Sequence, residues 1–157
     1  MALHRSHPSV PSVLDRLISG PGGIEVGSIQ PSSPRALKLS VARDLTALLN
    51  SRRGTSLVPS EFPAASSSIL NYGLPDISSY NLGADPQGLR RDIESTIRAF
   101  EPRLSGVKVT VEDWDRFSPV LKFHIHATLK VGAVNENISF NTILQADCRI
   151  ISIKALG

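Results

Sequence analysis

The 157-residue chain carries one cysteine, one methionine and one tryptophan, and aromatic residues make up only 5% of it. Each scarcity excludes something. A lone thiol, Cys148, cannot close an intrachain disulfide, so the sequence fits a reducing compartment. Its place in an apolar, strand-like run makes a buried, inert thiol the expectation. No window approaches the roughly 18 consecutive apolar residues that a membrane-spanning helix needs. Met1 to Val10 is basic but lacks a continuous apolar core and a small-residue cleavage site, so it does not read as a signal peptide. The expectation is a soluble protein with no direct membrane insertion.

Other absences bear on chemistry. Lys and Arg exceed Asp and Glu by only 17 to 14. The doublets Arg52-Arg53 and Arg90-Arg91 sit in helix-like segments with few aromatics nearby, so no nucleic-acid stacking platform is expected. Gly20, Gly22 and Gly23 are followed by no Lys-Ser or Lys-Thr, which rules against a phosphate cradle. Ser66, Ser67 and Ser68 lack the Gly-x-Ser-x-Gly surroundings of a nucleophile and read as helix-capping residues. His124 and His126 share a strand face, but spacing offers no third ligand, so they are expected to face solvent without metal. His4 and His7 are weaker candidates still. Among the carboxylates Glu101, Glu112, Asp113 and Asp115, three fall in one charged turn, and no acid and nucleophile pair can be placed. No catalytic residue, cofactor or metal is expected.

What is present is a 41% apolar chain able to bury one core. Residues 1–11 read as a flexible arm and 12–157 as a single domain. Ser12 caps a short helix over Val13 to Ser19, and a Gly- and Pro-rich loop follows from Gly20 to Ser33. Ser33 and Pro34 open a helix to about Arg53, with the stripe Leu37, Val41, Leu45, Leu48 and Leu49. A loop from Thr55 to Ser68 leads into a turn or two of helix around Ile69, Leu70 and Tyr72. Asp85 and Pro86 open another helix to about Phe100, inward at Leu89, Ile93, Ile97 and Phe100, and wet at Arg90, Arg91, Glu94 and Arg98. After Pro102 the period falls to 2, through Val107, Val109 and Val111. Leu121, Phe123, Ile125, Ala127, Leu129 and Val131 then alternate with Lys122, His124, His126, Thr128 and Lys130. Gly132 to Asn137 reads as a hairpin loop, and Ile138 to Gln145 and Arg149 to Leu156 as two further strands. The fold class is α+β: N-terminal helices packed on a C-terminal antiparallel β-meander.

Two places carry more than packing. Glu101, in the last turn of a helix, meets the negative end of the macrodipole at a cost of roughly 0.3 to 1 kcal/mol. Its neighbour Arg103 would offset this by only about 0 to 1 kcal/mol if the pair were exposed. Exchanging either residue should then leave the isolated fold nearly intact. The last strand, with Ile151 and Ile153, has no element after it and can leave an open edge that invites another chain.

Five segments together resemble a known family. They are Ser12-Val13-Leu14-Asp15-Arg16-Leu17, Arg43-Asp44-Leu45, Leu48-Leu49-Asn50-Ser51-Arg52-Arg53-Gly54, Asn71-Tyr72-Gly73-Leu74-Pro75-Asp76 and Phe100-Glu101-Pro102-Arg103-Leu104. In this order they resemble the TssE family, the small baseplate subunits of bacterial type VI secretion systems, which is similar to a baseplate wedge protein of contractile phage tails. The resemblance spans about Val13 to Ile153. It implies a cytoplasmic structural adaptor at a baseplate docked on the inner membrane, held with TssF, TssG and TssK around the tail-tube hub, that starts growth of the TssB/TssC sheath. It implies that Glu101, Pro102 and Arg103 hold the subunit against the wedge core. A sheet edge at Arg149, Ile151 and Ile153 would continue the strand exchange of the sheath. The family also carries an old lysozyme-related label, so a peptidoglycan hydrolase is one alternative; an unrelated peptide-binding module using the open edge is another.

Overall fold

The computed structural model describes residues 34–54, 61–66, 68–80, 86–112, 120–131, 134–145 and 149–156. The expected arm over 1–11, the helix over 13–19, the loop over 20–33, the turn over 113–118 and Cys148 lie outside them.

Helix α1 spans Pro34–Asn50. Pro34 fits the first helical position, where its fixed φ is already helical and its missing N–H is not needed. The stripe Leu37, Val41, Leu45, Leu48 and Leu49 is buried, as expected. The helix stops about three residues short of expectation because another segment competes for its backbone. The Leu74 N–H donates to Ser51 O (2.9 Å) and the Arg53 N–H to Leu74 O (2.7 Å), so 51–53 runs beside 74 instead of continuing the helix. A short helix α2, Pro63–Ser66, and two 3-10 turns, Ile69–Asn71 and Ile77–Ser79, fill the connection. The Ser68 hydroxyl accepts from Leu70 N–H and the Asp76 carboxylate from Ser78 N–H, so both turns are capped.

Helix α3 spans Gln87–Phe100. It starts one residue after the expected cap and proline pair: Pro86 itself occupies the N-cap with no side-chain acceptor to give, and Asp85 lies outside the described residues. Leu89, Ile93 and Ile97 are buried, while Phe100 is half-buried and meets Tyr72 edge to face at 5.3 Å. Glu101 ends the helix, its N–H still bonded to Ile97 O, and Pro102 prevents another turn.

Four antiparallel strands follow in the order β1-β2-β3-β4: Leu104–Val111, Val120–Val131, Val134–Gln145 and Ile150–Leu156. This is the meander expected, with two corrections. The hairpin between β2 and β3 is tight, since Val131 pairs with Val134, so residues 134–137 belong to a strand and not to a loop. Their polar composition misleads because Asn135 and Asn137 continue the outward row of an alternating strand, where backbone pairing is satisfied and polar side chains stay wet. Strand β1 carries a bulge: Ser105 pairs with Thr128 and Lys108 with His126, leaving Gly106 and Val107 opposite Ala127. Gly106 takes φ +61, and the extra residue turns both Leu104 and Val107 inward.

Both helices lie on one face of the sheet, α1 along β4 and α3 along β1. Phe123, Ile125, Leu129, Phe140, Leu144 and Ile151 face Val41, Leu45, Leu49, Ile93 and Ile97, all 2% exposed or less. At roughly 1.5 to 3 kcal/mol per large side chain buried, this layer supplies most of the favourable free energy of folding.

Candidate functional site

The junction at 100–104 is built inward. Glu101 is 4% exposed, which corrects the expectation of an exposed pair with Arg103. Its carboxylate accepts from Arg103 at three atoms: Nε at 2.7 Å, Nη2 at 2.5 Å and the backbone N–H at 3.2 Å. Pro102 is exposed at the tip of the turn between them. The same guanidinium reaches across to α1, where Nη2 donates to Asp44 (2.6 Å) and Nη1 to the Ser40 hydroxyl (3.2 Å). Asp44 in turn accepts from Arg43. Two motifs 59 residues apart are thus one cluster, with a planar guanidinium shared between two carboxylates. Burial works against the charge on Arg103, but the hydrogen bonds and charges of Glu101 and Asp44 outweigh it and hold the proton more firmly than usual. Tyr72 stands close by, its hydroxyl made harder to ionise by burial and then by the charges of Asp44 and Glu101. Glu101 therefore has its compensating partner inside the fold. The expectation that Glu101→Gln or Arg103→Ala leaves the isolated chain nearly intact does not survive this geometry.

The sheet edges are treated unequally. On the outer side of β1, the Val109 N–H donates to Glu94 Oε1 (2.9 Å) and Arg98 Nη2 donates to Val107 O (2.8 Å), so α3 closes that edge with two side chains. Glu94, expected on a wet face, is buried, and Arg90 and Arg98, one turn to either side, pair with it. Replacing Glu94 by Ala leaves the Val109 N–H without its acceptor and the Arg90 and Arg98 guanidiniums without their carboxylate. A loss of about 1 to 3 kcal/mol is expected in urea unfolding, with hydrogen exchange at Val109 accelerated relative to Ile125. Unchanged exchange at Val109 would show that the edge does not depend on this clasp.

On the outer side of β4 the closure is partial. The Asn50 amide at the end of α1 donates to Ile151 O and accepts from Ile151 N–H, both at 2.8 Å. The Ile151 side chain is fully buried, so neither its side chain nor its backbone is offered to a partner, contrary to its expected role in a contact edge. Alternation along an antiparallel strand directs the corresponding groups of Ile153 and Ala155 to the same outer side, beyond the reach of that clamp. Ile153 packs half-buried on the core. Arg149, at φ +59 before β4, lies 3.7 Å from Asp76. Hydrogen bonds from the Ser78 N–H and hydroxyl, with Arg52 and Arg149 nearby, hold the Asp76 carboxyl below its usual range against a smaller opposing effect of burial.

The remaining candidates are not brought together. His124 bridges Asn141 (2.7 Å) and Glu112 (2.6 Å) on the outer sheet face, with the His126 ring 6.2 Å away. No group of three metal-ligating side chains occurs among the described residues. A shallow cavity of about 50 Å³ lies between Asn50, Arg52, Leu74, Ile77 and Arg149, and no carboxylate lines it. Glu101 and Asp44 are tied to one arginine and hold no cleft between them. Sequence reasoning missed Asp44, Glu94 and Asn50. The signal for Glu94 was present in the arginines at i−4 and i+4, and the signal for Asp44 in its place beside the buried Leu45.

Comparison with curated proteins and with solved structures gives no match. Comparison with family models does: that of the baseplate wedge protein gp25 matches residues 35–133. The matched stretch contains α1, the junction cluster, the closed β1 edge and β2. Since it covers well over half of the chain, the protein belongs to the gp25 baseplate wedge family, whose role in phage-like baseplates is structural.

Proposed function

We propose that the protein is the baseplate component of a type VI secretion system that links the wedge complex, through TssF, TssG and TssK, to the TssB/TssC sheath and starts sheath growth beside the tail-tube hub, on the cytoplasmic side of the inner membrane. The observation that carries this reading is the asymmetry of the sheet. One edge is closed by Glu94 and Arg98, and the other is left unclamped beyond Ile151 among the described residues. An edge of that kind is suited to receive a strand from another chain. The junction serves the wedge side. Glu101 and Arg103 fix the turn from within, and Pro102 at its tip is the exposed member of the triplet.

The proline variant Ala155→Pro tests the edge. Its N–H points outward, so its loss spares the ladder with β3 while removing a donor needed for pairing. The variant is expected to keep TssF and TssG in co-purification and to lose sheath elongation, followed with fluorescent TssB. Normal elongation in Ala155→Pro, or an unmodified chain that retains neither TssF nor TssG, would reject the reading. The hydrolase alternative draws no support from the cavity beside Asn50 and Arg149, which no carboxylate lines, and membership of a structural family speaks for a non-enzymatic role.

A further inference from the structure

The face of the sheet turned away from the helices carries an unusual division of charge. The chain has five lysines, and four of them, Lys108, Lys122, Lys130 and Lys154, stand exposed on this one face. The strand register places them across all its width, since Lys108 pairs with His126, Lys122 with Ile143, Lys130 with Asn135 and Lys154 with Asn141. None has a carboxylate within ion-pairing distance among the described residues. By contrast Lys38, Arg43, Arg52, Arg90, Arg98, Arg103 and Arg149 are each paired. The one described carboxylate against this face, Glu112, is occupied by His124. Between the lysines the face is mostly small and polar, with Thr110, Thr128, Asn137, Ser139, Asn141 and Ser152, beside the two histidines.

We propose that this uncovered sheet face is a docking surface for an acidic surface of a protein partner, with the four lysines as its charged contacts and the Thr, Ser and Asn rows between them as hydrogen-bonding ground. Charge complementarity selects the partner. Nucleic acid is disfavoured because the described face has no Phe, Tyr or Trp to stack on a base and no arginine fork for a phosphate, and of its two imidazoles His124 is held between Asn141 and Glu112. A lipid surface is disfavoured because the large apolar side chains among the described outward residues, Val120, Ile143 and Ile150, gather at one end of the sheet, and only Ile150 is exposed. Three strand spacings separate Lys108 from Lys154, about 14 Å, and eight residues separate Lys122 from Lys130, about 27 Å. This is about half the per-partner area of a standard interface, so the contact is one of several in a larger assembly, and its strength is electrostatic. The inference does not depend on the secretion-system reading.

The test is a titration of the isotope-labelled full chain with a Glu-rich helical peptide, with duplex DNA and with vesicles of phosphatidylcholine and phosphatidylglycerol. The peptide is expected to shift the amides of Lys108, Lys122, Lys130 and Lys154, and its affinity to fall on the order of tenfold between about 0.05 M and about 0.3 M salt. Changing all four lysines to Gln is expected to leave the melting temperature unchanged and to abolish those shifts, whereas Arg35→Gln, Arg53→Gln and Arg91→Gln together leave them in place. Shifts confined to the helix side, equal binding by the Gln variant, or tighter binding of DNA or of the vesicles would each overturn the proposal.

Discussion

Arg103→Ala is expected to lower the melting temperature of the isolated chain by roughly 10 °C. The guanidinium is bound to Glu101 and Asp44, whose side chains are 6% and 18% exposed, and is itself 18% exposed. Removing it leaves two carboxylates facing one another in a poorly hydrated site, with Glu101 also at the negative end of α3. Breaking one side of a buried pair costs about 3 to 5 kcal/mol. For a chain of this size each kcal/mol corresponds to about 2 to 4 °C. Arg103→Lys should recover only part of the loss, because an ammonium cannot fork between two acceptors. Changing Glu101 and Arg103 together to Gln and Ala should cost less than the two single changes summed, since the second change removes the charge that the first stranded. Circular dichroism melts of the unaltered chain, Glu101→Gln, Arg103→Ala, Arg103→Lys and the double variant check this. Independent, additive effects would mean that the cluster is not a unit.

The second large effect is expected at Gly73. Its φ of +98 lies in a region that L side chains rarely adopt, and a Cβ there would stand 2.3 Å from Ser51 O and 2.7 Å from Ser51 C. Both are backbone atoms and cannot rotate away. Gly73→Ala must therefore break the Leu74 to Ser51 hydrogen bond and push 71–76 off the end of α1. Backbone strain and overpacking together amount to about 2 to 5 kcal/mol. Hydrogen exchange at Leu74 and Arg53 should accelerate before that of the sheet. Gly54→Ala is the control, for nothing lies within 4 Å of its added Cβ, and it should melt with the unaltered protein. Equal melting of both variants would show that the approach of 73 to 51 is dispensable.

The elements that could be read from sequence are those whose logic is local. The alternation of Leu121 to Leu129 with Lys122 to Lys130 assigns a strand with one wet face by itself, and the stripes of α1 and α3 do the same at helical spacing. What could not be read depends on which segments meet. Glu94 looks solvated on a helical wheel and becomes buried only because α3 lies along the outer side of β1, where the Val109 N–H needs an acceptor. Glu101 and Arg103 look like an exposed pair until Asp44 arrives from 57 residues before Glu101. The end of α1 was overestimated because Leu74, distant in sequence, takes the hydrogen bonds that would have continued it. The bulge at Gly106 has a local signal, an isolated glycine in an alternating run, and it accounts for the three-residue step from Leu104 to Val107.

The unequal treatment of the two outer strands bears on where such a chain fits in a series. A subunit that accepts a strand on both flanks is a link, and rows built from it extend through every member. With Glu94 and Arg98 bonded to the β1 backbone at Val107 and Val109, a partner strand that pairs with this chain would meet its open backbone groups, among the described residues, on the β4 side, and a row built that way would stop at this subunit.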